Sequence, residues 1–312
     1  MHPIIYTLFS FLLLNCTSTP KAPTSSVRLV VLGVAQDGGA PHAGCQKDCC
    51  STLFKDPSKF HRVVSLGLID DINKKKYLFE ATPDIASQLY NLHNQSDFST
   101  QHQPDGVFLT HAHMGHYVGL LHLGREVMST DRVPVYVMPK FREFLEQNGP
   151  WNQLVALNNV TLNTLTANQK LSITTQLSIT PIEVPHREEF SETIGFLIEG
   201  PKKSALFIPD IDKWEYWEQD INQWLKKVDY ALLDATFYDA AEVNHRDISE
   251  IPHPFAIESM ERFSTLSEYD KAKIIFIHLN HTNPLLNTES NAYKNTIKTG
   301  FQVGRDGMIL DL

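Results

Sequence analysis

The chain has 312 residues, 42% of them hydrophobic and 20% charged, which suits a globular protein able to bury a sizeable core. Its formal net charge of -9 excludes the Lys/Arg surplus with which a nucleic-acid-binding protein meets the phosphate backbone.

The first stretch differs in kind. Residues 4–14 form an apolar run too short to span a bilayer as a helix, and of signal-peptide length. Leu13-Leu14-Asn15-Cys16 resembles a lipobox in which Cys16 becomes a lipidated N-terminus, although Asn15 stands where a small residue is usual. The expectation is export to the periplasm, as a free or membrane-anchored lipoprotein, with lipid as the only membrane contact. Residues 1–16 are thus read as a signal segment, and 17–26, rich in Ser, Thr and Pro, as a flexible tether. The folded domain is expected over 27–312.

Within it, the β-branched run 27–34 leads into Gly38-Gly39-Ala40-Pro41 and reads as a strand ending in a glycine turn. Strands are expected at 62–69 and 76–80, then a helix through Ile85, Leu89 and Leu92. A strand at 106–110 precedes a helix near Val118, and a strand at 133–138 precedes one carrying Phe141, Phe144 and Leu145. The alternation over 160–184 suits antiparallel hairpins. Strands at 193–199 and 204–208 pair around Gly200-Pro201; an amphipathic helix near 214–226, a strand at 230–233, a helix at 256–266 and a strand at 273–278 follow. The pattern is an α/β architecture with helices covering two packed sheets.

Four cysteines are present. With Cys16 lipidated, Cys45, Cys49 and Cys50 remain, an odd number for a disulfide framework. With His42 they offer a Cys3His set for a structural zinc ion; a cluster of small buried thiols is the alternative.

The sharpest signal is Thr110-His111-Ala112-His113-Met114-Gly115-His116, where a strand ends and a helix begins. Three imidazoles within six residues at a strand end are suited to zinc or iron. The motif resembles the H-x-H-x-D-H signature of the metallo-β-lactamase superfamily. That resemblance implies a four-layer αββα sandwich and a hydrolase. It assigns His111, His113 and His186 to one ion, His116 and His278 to a second, and Asp210 to a bridge between them. Gly115 stands where the superfamily has an aspartate, so the second ion loses a ligand and the count is one ion or two. Zinc is the expected metal, with iron the alternative.

Within the superfamily the resemblance extends to the coenzyme PQQ synthesis protein B family. It is carried by residues 33–41 with the cysteine cluster, by Ala81-Thr82-Pro83-Asp84-Ile85, and by residues 278–286 with Asp306-Gly307-Met308. It implies a structural zinc at the cysteines. The leading expectation is hydrolysis of a small-molecule ester, phosphodiester or lactone by a metal-activated water. Asp210 would orient the nucleophile, and His281 or His253 would protonate the leaving group. One alternative is an iron-dependent oxygenase step in pyrroloquinoline quinone (PQQ) biosynthesis; another is a non-catalytic carrier of PQQ or a precursor. His245, Asp212 and Asp234 read as structural or solvated. Oligomeric state leaves no mark in the sequence.

Overall fold

The computed structural model describes residues 26–98, 101–243 and 251–312. The expected signal segment, the tether up to residue 25 and His245 lie outside these residues. The strands are β1 (Val27–Gly33), β2 (Ser65–Asp70), β3 (Lys75–Phe79), β4 (Gly106–Phe108), β5 (Val133–Val137), β6 (Val160–Thr164) and β7 (Leu171–Ser172). They continue with β8 (Ser178–Glu183), β9 (Ile194–Glu199), β10 (Ser204–Ile208), β11 (Tyr230–Asp234), β12 (Ile274–Ile277), β13 (Gln302–Val303) and β14 (Ile309–Asp311).

They form two seven-stranded sheets, ordered β14-β1-β2-β3-β4-β5-β6 and β13-β12-β11-β10-β9-β8-β7. Successive side chains on a strand face opposite ways, so a strand buried on both faces must be apolar throughout. In β1, Val27, Leu29 and Val31 enter the layer between the sheets, while Val30 and Leu32 face the helices outside. Phe79, Phe108, Phe196 and Phe207 meet between the sheets, Phe79 and Phe108 stacked at 5.1 Å. Outside the first sheet lie the helices Ile85–Asn94, Pro139–Gln147 and Trp151–Ala156; outside the second lie Ile221–Leu225, Ala256–Arg262 and Asn291–Lys298. The result is the expected four-layer αββα sandwich. No described helix is long and apolar enough to cross a membrane.

Two expectations change. The alternating stretch 160–184 is a hairpin only in its second part: β7 and β8 pair antiparallel in the second sheet, whereas β6 pairs in parallel with β5 in the first. Alternation reports a half-buried extended chain but not its partner. The helix expected near 214–226 is a 3-10 turn, Trp214–Tyr216, and a separate helix, Ile221–Leu225. Asp220 caps the second by accepting from the Asn222 N–H, and the Trp217 indole between them donates to the Glu183 carbonyl at 2.9 Å.

The sheets are also joined through backbone. Beyond β1, the Val34 carbonyl accepts from the Leu279 N–H at 2.8 Å, and the Gln36 N–H donates to the Leu279 carbonyl at 2.9 Å. Leu279 follows β12, so the bridge ties the end of a strand in one sheet to the end of a strand in the other.

Phe108 is fully buried and stacks on Phe79 and on Tyr136, the latter at 4.3 Å. Phe108→Ala is expected to lower unfolding free energy by about 3–5 kcal/mol, measured by chemical denaturation.

Candidate metal centre

A carboxylate or imidazole of interest follows one strand after another. Asp37 lies beyond β1, Glu80 beyond β3, His111, His113 and His116 beyond β4, and His186 beyond β8. Asp210 follows β10, Asp234 closes β11, and His278 follows β12. These strands run in one sense within their sheets, so their carboxyl ends share an edge, where α/β sheets place their ligands.

Local chain geometry turns each ring inward. His113 is extended and caps the short helix Met114–Tyr117, so His116 folds back beneath His111 with ring centroids 4.2 Å apart. His278 adopts φ +58, a left-handed conformation costing a residue with a Cβ about 1–2 kcal/mol. Its ring lies 5.4 Å from that of His116, and His186 lies 5.1 Å from His113.

A second set of contacts fixes which nitrogen points into the site. His111 Nδ1 meets Thr110 Oγ1 at 2.9 Å, His186 Nδ1 meets Asp212 at 2.9 Å, and His278 Nδ1 meets Thr236 Oγ1 at 2.8 Å. His116 Nδ1 faces Glu80 at 3.5 Å. With Nδ1 of His111, His186 and His278 engaged, Nε2 of each is left for the centre, while His116 Nδ1 has only the Glu80 charge beside it and no hydrogen bond. His113 is reversed: its Nε2 meets Glu189 at 3.1 Å, leaving Nδ1.

The rings converge on Asp210, which is 2% exposed. Its Oδ2 lies 3.2 Å from His111, 3.4 Å from His116 and 3.6 Å from His278; its Oδ1 lies 3.4 Å from His186. Burial alone would raise its carboxyl, but His278, His186 and His253 outweigh that and hold it well below the usual range. Burial likewise pulls the His278 imidazole down, and Asp210 and Asp234 overcome it, lifting it to about 10. His111 moves the other way, pushed well below its ordinary value by burial and by His116.

The donor set fits a metal. Nε2 of His111, His116 and His278 and Oδ1 of Asp210 and Asp37 are buried without a hydrogen-bond partner. Polar atoms in that condition are costly unless something binds them. Ligand atoms of His111, His113, His186 and Asp210 lie within 4.8 Å of one another, as do those of Asp37, His116, Asp210 and His278. Asp210 belongs to both sets, the place of a bridge.

Asp37 is a participant that the sequence reading overlooked. Its Oδ1 is 3.3 Å from His116 Nε2, and the His116 and His278 imidazoles, against the upward push of burial, hold its carboxyl below the usual range. Asp212 and Asp234, read as structural or solvated, anchor metal-site imidazoles. Asp234 accepts from the Ile211 and Thr236 N–H groups, from Thr236 Oγ1 and, at 2.8 Å, from His253 Nδ1. His253 is thereby held 3.2 Å from Asp210.

The cysteine cluster also departs from expectation. Cys45, Cys49 and Cys50 are free, with Sγ separations of 3.9 Å (Cys45–Cys49) and 4.0 Å (Cys49–Cys50). Tetrahedral thiolates at a zinc–sulfur distance of about 2.3 Å would stand about 3.8 Å apart. The imidazole grouped with them is His281, not His42. His281 Nδ1 meets Asn280 Oδ1 at 3.0 Å, and burial, with His42 and Lys47, lowers its pKa to about 4, the neutral form a metal needs. His42 stacks on the His281 ring at 4.4 Å and supplies only its backbone N–H to Cys50 Sγ. This placement sets His281 between the thiols and the cavity lined by Gln36, Phe237 and Glu242.

Comparison with known proteins places this geometry. The family model described as "Beta-lactamase superfamily domain" matches residues 75–279. Coenzyme PQQ synthesis protein B of Methylorubrum extorquens (strain PA1) is 24% identical over 307 residues, covering 92% of this chain and 100% of that protein. The protein of the same name from Methylococcus capsulatus (strain Bath) is 27% identical, covering 89% of this chain and 97% of that protein. Among solved structures, zinc-bound PqqB from Methylobacterium extorquens aligns with a TM-score of 0.74 at 22% identity, over 91% of this chain and all of that one. A diphosphatase of the PhnP family aligns with a TM-score of 0.64 at 22% identity, over 92% of this chain and 98% of that one. The metallo-β-lactamase fold is the fold of this chain.

Asp212→Asn is expected to weaken the ion at His111, His113 and His186 by about 10–100-fold, measured by competition with a chromogenic chelator. His281→Ala is expected to lower zinc content by one ion per chain while His42→Ala retains it, read by elemental analysis.

Proposed function

The chain belongs to the beta-lactamase superfamily, and we propose that it is a zinc-dependent hydrolase of a small-molecule ester, phosphodiester or lactone. The observation that carries this reading is the ring of buried, partnerless nitrogens and carboxylate oxygens around Asp210, at the strand edge where substrates enter.

His111, His113, His186 and Asp210 would hold the first ion, and His116 and His278 would join Asp210 at a second. When bound, the metal supplies a Lewis acid that polarises the scissile oxygen and brings the pKa of water toward neutrality. The protein does the rest. Asp210, fixed by imidazoles on both of its oxygens, orients the attacking water. His253 Nδ1 is held by Asp234 at 2.8 Å, which leaves Nε2 to carry a proton to the leaving group. A cavity of about 350 Å³, lined in part by Gln36, Phe237, Glu242, Asn280 and Thr282, is sized for a small molecule. Gln36 precedes Asp37 and Asn280 stands two residues after His278, so the cavity is lined from the same loops that carry the centre. The relatives named for coenzyme PQQ synthesis support placing the substrate in that pathway.

The iron-dependent oxygenase reading started from the carboxylate missing at Gly115. Asp37 lies in that space, so the gap at Gly115 no longer argues for iron over zinc.

The test is an anaerobic assay against chromogenic esters, phosphodiesters and lactones, before and after chelation. Turnover that disappears with the metal and returns with zinc is expected. Activity that requires iron and consumes oxygen would establish the oxygenase instead, and retention of PQQ without turnover of any substrate would establish the carrier. His253→Gln is expected to lower kcat by about 10²–10⁴-fold while zinc content stays at the wild-type value.

A further inference from the structure

Gly115 and Asp37 lie on different elements, one opening the helix behind β4 and the other in the loop beyond β1. A Cβ built on Gly115 would meet Asp37 Oδ1 at 2.2 Å, Asp37 Cα at 2.5 Å and Asp37 Cγ at 3.0 Å. Distances under about 3 Å between such atoms are repulsive, so no side chain at 115 can coexist with Asp37 where it stands. The carboxylate meanwhile occupies the ground that a residue-115 side chain would enter, facing the same imidazoles.

We propose that Asp37 is the carboxylate ligand of the second ion, having exchanged places with the residue at 115, and that the site therefore takes two ions. This rests on the metal-dependent reading above and deepens it. Four atoms complete the half-site: Asp37 Oδ1, His116 Nε2, His278 Nε2 and the shared Asp210 carboxylate. Asp37 Oδ1 lies 3.3 Å from the His116 nitrogen and 3.9 Å from that of His278, and it has no hydrogen-bond partner. Its other oxygen is engaged, since Oδ2 accepts from Gln36 Nε2 at 3.2 Å. The oxygen without a hydrogen bond faces two imidazole nitrogens that lack one as well, which is the arrangement of donors around a shared ion. The mutual tether of the two loops holds that arrangement, because Gln36 and Leu279, neighbours of Asp37 and His278, share a backbone hydrogen bond. Asp37 also precedes the segment matched by the family model, which begins at residue 75, so the exchange would be invisible to a motif search over that segment.

The experiment titrates zinc and, separately, cobalt(II) into chelator-stripped full-length protein, with calorimetry and elemental analysis as readouts. Cobalt distinguishes the centres, because only thiolate ligation gives intense near-ultraviolet charge-transfer absorption. Wild type is expected to take two ions outside the thiolate centre. Asp37→Ala and the isosteric Asp37→Asn are expected to weaken one of them by on the order of 100-fold or more, beyond the loss from a supporting residue, with the other ion kept. Gly115→Asp alone, which forces the two side chains together, is expected to show the same loss. The reciprocal double substitution, Asp37→Gly with Gly115→Asp, is expected to regain the second ion, a rescue that a merely structural role would not give. Circular dichroism on each variant separates lost binding from lost fold. Two results overturn the proposal: a wild-type centre saturating at one ion, or Asp37→Asn binding both ions as wild type does. Zinc-dependent turnover by a one-ion centre would still leave the proposed function standing, and two ions without turnover would do the reverse.

Discussion

A carboxylate sealed from water is tolerated only where positive charge or donated hydrogen bonds surround it. Asp210, 2% exposed, is the residue on which this constraint falls hardest. Imidazoles from both halves of the chain crowd its two oxygens, and the rings of His111, His186 and His278 are gripped from behind by a hydroxyl or a second carboxylate. In the protein without metal, protons on His116 and His278 meet the need, which is why both are held above their ordinary values against the pull of burial. A cation held there would meet it too, displacing those protons and satisfying the partnerless nitrogens together.

The rest of the architecture serves that convergence. Parallel strands bring their carboxyl ends to a common edge in each sheet, and stacking the sheets brings the two edges face to face. Loops that would be free to drift are pinned: Thr236 holds His278, Asp234 holds His253 and Thr236, and Asp212 holds His186. Left-handed backbone at Glu80 and His278 marks the places where local preference gives way to the site.

Most of the fold and the clustering of the histidines were legible because they rest on short-range signals. Apolar runs such as 27–34 and 204–208 declare buried strands, and a histidine triplet at a strand end declares a cleft. What escaped was contact between distant segments. Alternation at 160–184 revealed extended chain but could not reveal that its halves belong to different sheets. His42 was preferred to His281 as the cysteines' partner because it is near in sequence, whereas the chain returns from β12 to deliver His281. Asp37, within Gln36-Asp37-Gly38-Gly39, looks like any turn aspartate. The one available hint was a gap, the missing side chain at Gly115, and a gap does not say from where it is filled.

The backbone bridge between Val34 and Leu279 also sets an order of assembly. The ribosome releases Asp37 and the three histidines beyond β4 long before β12 exists. Until β12 docks and Leu279 closes against the end of β1, the ligands from the two sheets have no common centre. Capture of a metal in that geometry would therefore come late in folding, after closure of the whole sandwich. An ion held by Asp37 and His278, as proposed, would act as a lock: it would span the same seam as the bridge, so parting the sheets would break coordination and backbone hydrogen bonds together.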